Sequence, residues 1–162
     1  PYTTLFRSDF AQLREWSEER ELDWYLLAEQ PHQQMQNWVQ DLLHLYRKNK
    51  ALYELDTDEK GFDWINKDDI FRSIFSFVRH SKDGKKNLLF VCNFTPMERP
   101  DYRVGVPKRK QYKLILNSDD AKYGGSGEER PLIYKSVLGE CDGQKYSFEY
   151  PLPAYGVAVF EY

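Results

Sequence analysis

Hydrophobic positions in the first third of the chain follow helical spacing. Between residues 31 and 50, apolar side chains recur every three or four positions, as they do along one face of an amphipathic helix. Pro31 suits the first turn of a helix, and the cations Arg47 and Lys48 favour the C-terminal end of a helix dipole. The pattern predicts a helix over residues 31–50 whose apolar stripe lies on another surface. The apolar stripe consists of Met35, Trp38, Val39, Leu42, Leu43, Leu45 and Tyr46.

After Asp56 the hydrophobic period changes from helical to two. Residues 71–79 alternate as a strand does, Asp83-Gly84 is a hairpin signal, and residues 88–94 form the return strand. Short strands separated by turn residues, with no helix between them, predict an antiparallel β-sandwich. Further strands are expected at residues 102–106, 111–117, 132–138, 145–150 and 156–161.

The stretch NSDDAKYGGSG, residues 117–127, raises the question of a phosphate-binding loop. Such a loop needs a Lys directly after its glycines and a helix opening there, but Glu128 and Glu129 follow instead. These carboxylates would repel a phosphate, and Pro131 disfavours helix at the residue before it. The stretch is therefore expected to be a mobile loop between strands.

Composition narrows the class of protein. Aromatic residues make up 16% of the chain, which suits both strands and sugar-stacking surfaces. A net charge of −3 argues against a general nucleic-acid binder, and no apolar run is long enough to span a membrane. Cys92 and Cys141 lack metal or redox spacing, and Cys92 is expected to be a buried hydrophobe in a reduced cytosolic protein. The chain begins at Pro1 without a signal sequence and is expected to derive from a longer protein.

The histidines, paired aspartates and Ser126 do not form a recognisable metal-binding or catalytic motif. His32, His44 and His80 are too far apart in sequence to suggest one metal site, so neither a metal nor a cofactor is expected. The adjacent pairs Asp68-Asp69 and Asp119-Asp120 are expected to be solvated turn charges rather than acid–base groups. Ser126 lies outside the G-x-S-x-G pattern of a nucleophile elbow.

A series of short phrases resembles one known family when read in order. They are similar to the C-terminal part of bacterial 1,4-α-glucan (glycogen) branching enzymes, of the α-amylase superfamily, over nearly everything from Phe10 onward. The phrases are FAQ with EW (10–16), LDWYLL (22–27), ALYELD (51–56), GFDWI (61–65), VCNFTP (91–96), YRVGVP (102–107), LNSD (116–119) and YGGSG (123–127), before a final LP (152–153).

The resemblance implies a division of the chain. Residues 9–53 would be the tail of a catalytic (β/α)8 barrel with its last major helix, and residues 54–162 the C-terminal all-β sandwich. Residues 1–8 match poorly and would be an expression or sequence-assembly junction. Asp9 stands where the family has a Glu. The fold class is therefore mainly β, with a sandwich preceded by the last helical segment of a barrel.

The resemblance also implies a parent enzyme of glycogen biosynthesis in the cytoplasm. Branching enzymes cleave α-1,4-glucan chains and transfer them to form α-1,6 branches, using an Asp nucleophile and a Glu acid/base on barrel strands. Those strands lie upstream of the matching part, so no catalytic residue is assigned here. The implied partners are α-glucan and the missing barrel. The fragment would be an inactive, stabilising domain.

Tryptophans are the remaining candidates for contact with glucan. Trp38 is expected in a core, and Trp16 and Trp24 are expected to pack against the missing barrel. Phe62 and Trp64 would share one face of an extended segment, and an exposed indole at Trp64 would offer a flat apolar surface to a glucose ring. Core packing is the competing expectation for Trp64.

Two other functions remain open at this point. The chain could be a stand-alone carbohydrate-binding module, although such a module has no need of a long amphipathic helix without a partner. It could also be the C-terminal domain of a debranching hydrolase of the same superfamily.

Overall fold

The computed structural model describes residues 10–15, 17–69 and 71–162. These residues form two compact units. The described residues up to Lys48 form the first unit together with Asp120–Glu128, and Asn49–Asp119 with Glu129–Tyr162 form the second. The junction predicted at residues 1–8, Asp9 and Trp16 all lie outside the described residues.

The first unit is built around one long helix. Helix α1 spans Gln30–Lys48 and ends with Arg47 and Lys48 in its last turn, as the charge pattern predicts. A short 3₁₀ helix at Trp24–Ala28 precedes it, and a second one at Ala121–Tyr123 lies in the distant loop of this unit. Asp23 is buried and receives hydrogen bonds from the Arg14 guanidinium, which anchors the segment before α1.

Nine antiparallel strands form the second unit in the part of the chain that the structure describes. The six-stranded sheet has the order β1-β2-β3-β9-β5-β6, and the three-stranded sheet has the order β4-β8-β7. Short 3₁₀ helices at Lys50–Leu52 and Glu59–Gly61 precede the first strand. The strands are β1 Phe62–Asn66, β2 Ile74–Arg79, β3 Leu88–Asn93, β4 Arg99–Val106, β5 Gln111–Asn117, β6 Ile133–Lys135, β7 Val137–Cys141, β8 Gln144–Leu152 and β9 Val157–Glu161.

The core lies between the inner faces of these two sheets. Side chains of β2, β3, β5, β6 and β9 meet those of β4 and β8 in one buried cluster. Aromatic rings account for much of it: Phe160 lies 5.2 Å from both Phe148 and Tyr150, in edge-to-face contacts. The predicted antiparallel β-sandwich with a preceding helix is thus confirmed, and the core accounts for part of the high aromatic content.

Two predicted strands differ from the structure. The strand expected at residues 132–138 is two strands, β6 and β7, because Ser136 between them is buried and bonds to the backbone of Lys108 and Lys110. The strand expected from residue 71 begins at Ile74, because Ser73 has a positive φ of 50° and its N–H donates to the Asp69 carbonyl in a turn. Within the described residues, no helix combines the length and apolar character that crossing a membrane requires.

Candidate functional site

Trp64 lies on the edge strand β1 and points away from the sandwich core. It pairs with Phe77 of β2, and its neighbour Ile65 packs against the core from the opposite face of the strand. The Trp64 side chain is 48% exposed, and Phe62 shares its face as predicted. The structure therefore presents half of the indole to solvent while β1 remains paired.

A continuous group of rings surrounds Trp64 on the outer face of the first three strands. We call it the aromatic face, and it consists of Phe62, Trp64, Phe75, Phe77, Phe90 and Phe94. Trp64 meets Phe62 at 5.0 Å and Phe77 at 5.8 Å, both edge-to-face, so two phenyl rings hold the indole in place. Phe94, directly after β3, is 61% exposed, and the sequence alone did not single it out.

Asn93 fixes the turn that carries Phe94. Its side-chain Nδ2 donates to the carbonyls of Met97 and Pro153, each over 2.8 Å, and its Oδ1 accepts from the Thr95 N–H and hydroxyl. One buried amide thereby joins the β3–β4 turn to the β8–β9 turn. This explains the Asn-Phe-Thr-Pro phrase in structural terms.

The histidines are held by different neighbours. His80 Nε2 lies 2.7 Å from Asp63 Oδ2, and His32 Nδ1 lies 2.8 Å from the Phe10 carbonyl oxygen. His44 lies 3.9 Å from Asp41, on its own helix. Within the described part of the chain, no group of three or more His, Cys, Asp or Glu residues could hold a metal ion.

The expectation of solvated carboxylates is wrong for one member of each Asp pair. The Asp69 side chain is only 7% exposed; it pairs with the Arg72 guanidinium and accepts the Arg72 N–H in the turn before β2. Asp119 pairs with the nearly buried Arg130 at 2.9 Å. Both carboxylates are built into the second unit as structural ion pairs, because each is too buried to be left without a cation.

Neither cysteine is poised as a nucleophile. Burial raises the pKa of the Cys92 thiol to about 11, and burial also raises the pKa of Cys141 to about 11. A thiol with such a pKa is protonated near neutral pH. Both are free thiols, and the prediction that Cys92 is a buried hydrophobe is confirmed.

The glycine-rich loop takes part in an arrangement that the sequence did not predict. Its ends continue into β5 and β6, but its middle, Asp120–Glu128, belongs to the helical unit. Tyr123 packs edge-to-face on Trp38 of α1 at 5.0 Å, so Trp38 is partly buried rather than part of a core. The signal that could have indicated this contact is Tyr123, the large ring among the loop's small and polar residues.

Comparison with known proteins decides the family. Residues 64–162 match the family model described as the alpha amylase C-terminal all-beta domain. The chain belongs to this family. The match begins at Trp64 in β1 and runs to the last residue, so it covers almost the whole β-sandwich of this alpha-amylase C-terminal all-beta domain.

Curated relatives extend the likeness into the helical unit. The chain is 53% identical over 152 residues to the 1,4-alpha-glucan branching enzyme GlgB of Butyrivibrio fibrisolvens, covering 94% of this chain and 24% of the relative. It is 49% identical over 149 residues to GlgB of Aromatoleum aromaticum, covering 92% and 23%. For GlgB of Gloeobacter violaceus the identity is 44% over 159 residues, covering 98% and 22%.

The sequence match to the branching enzymes thus extends beyond the alpha-amylase C-terminal all-beta domain into the helical segment of this chain. The chain spans about a quarter of the length of the curated relatives that it matches. The predicted resemblance to the C-terminal part of bacterial branching enzymes is confirmed, and a stand-alone carbohydrate-binding module is not favoured.

Proposed function

We propose that this chain is the C-terminal part of a 1,4-α-glucan branching enzyme. The parent would cleave α-1,4-glucan chains and transfer them to form α-1,6 branches in glycogen biosynthesis. The observation that carries the proposal is the 53% identity to a branching enzyme over 94% of this chain. The two free cysteines suit the cytoplasm, which we propose as the compartment of the parent.

The parent's products test this proposal. The complete parent, incubated with amylose, should create α-1,6 linkages without releasing reducing ends, because transfer keeps the number of chain ends with free reducing groups constant. Proton NMR of the anomeric region and a reducing-end assay measure both quantities. Released reducing ends without new α-1,6 linkages would instead indicate a hydrolase of α-1,4 linkages, whereas a debranching enzyme would release reducing ends from a branched glucan and none from amylose.

The apolar stripe of α1 supports a role for the helical segment in contact with the parent's barrel. No described residue of α1 is buried in this chain, and Leu43 and Tyr46 are 59% and 48% exposed. An amphipathic helix normally covers its apolar face with a partner. We propose that residues 9–53 belong to the barrel, that residues 54–162 form the accessory sandwich, and that the missing barrel covers the stripe.

The accessory domain is also proposed to contact glucan through Trp64. The indole combines a flat apolar face with an N–H donor, and half of its surface is open to solvent at a sheet edge. Two phenyl rings fix its orientation, which lowers the entropy lost when a sugar stacks on it. A single ring contributes about 1 kcal/mol, so the contact would affect polymers, which bind at many weak sites at once.

Trp64→Ala tests the glucan contact. Retention of the chain on an amylose or glycogen affinity gel should weaken, while the thermal midpoint stays nearly unchanged. Tyr25→Ala is the matched control, since Tyr25 is an aromatic residue, 68% exposed, that lies outside the aromatic face. A fall in the midpoint with unchanged retention would show that Trp64 serves packing alone.

A further inference from the structure

The loop between β5 and β6 approaches one face of helix α1. Gln34, Asn37, Trp38 and Asp41 are three or four positions apart, so they share that face. The 3₁₀ turn Ala121–Tyr123 meets them through the edge-to-face contact of Tyr123 with Trp38. All these contacts lie within the first compact unit, although the two ends of the loop continue into strands of the second.

Asp41 is the centre of this contact. Its Oδ2 accepts the Lys122 ammonium over 2.8 Å and the Tyr123 hydroxyl over 2.6 Å. The Lys122 ammonium also lies 4.7 Å from the centroid of the Tyr123 ring. Hydrogen bonds from Lys122 and Tyr123 lower the pKa of Asp41, so the carboxylate is ionised near neutral pH. One oxygen therefore holds two consecutive loop residues on the helix through charge-assisted bonds.

Gly124 allows the tight turn of the loop beside the helix. Gly124 ends the 3₁₀ turn with a φ of 88°, a left-handed conformation that favours glycine. A Cβ at this position would lie 2.9 Å from Oε1 of Gln34. Gly124 thus gives the glycine-rich loop a structural role in the turn beside α1.

We infer that residues 120–128 form a clasp that couples the folding of the helical unit to strands β5 and β6, with Asp41 as the residue that closes it. Since α1 has no buried residue, it depends on contacts such as these to remain folded. The loop is covalently continuous with both strands, so holding it on α1 makes the helix and the sandwich unfold together. The inference concerns folding and does not depend on the glucan contact at Trp64.

Hydrogen exchange of the 162-residue chain with Asp41→Asn tests the clasp. Amides of residues 120–128 and of α1 should exchange about tenfold faster than in the wild type, as expected for the loss of a charge-assisted hydrogen bond. Amides of β2 and β3 should be unchanged. Asp56→Asn is the matched control, because it removes another surface ion pair, to Arg79 at 2.7 Å, outside the clasp.

Thermal unfolding tests the coupling itself. In the wild type, the amide NMR signals of α1 and those of the core strands β2 and β3 should be lost in one coincident thermal transition. In Asp41→Asn the helix signal should be lost at a lower temperature than the core signal. Coincident transitions in the variant would overturn the coupling.

A milder variant keeps the test decisive where Asp41→Asn does not fold. Tyr123→Phe keeps the ring on Trp38 and removes only the hydroxyl that donates to Asp41. Residues 120–128 should still exchange faster, by less than in Asp41→Asn. Unchanged exchange in that loop, or an equal increase in Asp56→Asn, would overturn the inference.

Discussion

Among single residues, Asn93 joins two turns of the sandwich through its side chain. It is 2% exposed, and its side chain makes four hydrogen bonds that join two turns at one end of the sandwich. The bond to the Pro153 carbonyl is buried, so water cannot replace this donor and its loss is costly.

Asn93→Ala should lower the free energy of unfolding by about 3 kcal/mol, because it removes four hydrogen bonds, including the one to the buried Pro153 carbonyl. Asn93→Asp should cost at least as much, since a buried carboxylate oxygen would face the carbonyl oxygens of Met97 and Pro153 in place of the amide donor. Urea titration of both variants measures the effect. A change in Asn93→Ala of less than about 1 kcal/mol would show that the turns do not depend on this residue.

The sequence predicted the burial of a residue correctly where neighbouring residues determine it, and incorrectly where a partner elsewhere in the fold determines it. The apolar run around Cys92 indicated burial correctly. Asp69 and Asp119 were expected in solvent, but Arg72 and Arg130 pair with them in the fold. Trp64 could be placed on the same face as Phe62, but its exposure depends on β1 being an edge strand, which only the sheet order shows.

At the scale of elements, helix α1 carries an apolar stripe and also contacts the β5–β6 loop. The apolar stripe is exposed at Leu42, Leu43 and Tyr46 and partly buried at its other positions, while Trp38 of the stripe and the nearby Asp41 contact the loop from β5–β6. Spacing and charge predicted the helix to within two residues at each end, because both signals are local. The contact of the loop with α1 joins residues about 80 positions apart, and no local pattern carries that information.

The exposed stripe predicts self-association of the isolated chain. Leu43→Gln combined with Tyr46→Gln should keep the chain monomeric at higher concentrations, since both side chains are exposed apolar surface on one helix face. Light scattering over a concentration series measures this. Arg47→Gln is the control, because it changes a residue of the same turn without touching the stripe. A wild-type chain that is already monomeric throughout would contradict the expectation.

The clasp also predicts a dependence on pH. The pKa of Asp41 is lowered in the folded chain, by Lys122 first and then Tyr123, with His44 adding a small effect. A lowered pKa stabilises the fold above the unfolded pKa, and this stabilisation is lost as the pH falls through the folded value. The stability difference between wild type and Asp41→Asn should therefore be full at neutral pH and decline below about pH 4. Thermal midpoints at several pH values measure it, and a difference that grows on acidification would contradict the assignment.

At the scale of the whole molecule, the fold class followed from period and turn signals, since alternating residues and repeated turns favour an antiparallel sandwich. The sequence did not predict which strands belong to which sheet. The chain passes from one sheet to the other at Ser136, which bonds to the distant backbone of Lys108 and Lys110. The family relation followed from phrases spread over the chain, and the match over residues 64–162 agrees with it.

The central claim is that this chain is a non-catalytic part of a branching enzyme, and the iodine stain of amylose tests it most directly. The purified 162-residue chain should leave the colour of amylose unchanged over a long incubation, because the nucleophile and the acid/base of the proposed parent lie outside it. The complete parent, as the positive control, should reduce the colour. Loss of colour with the isolated chain alone would contradict the account.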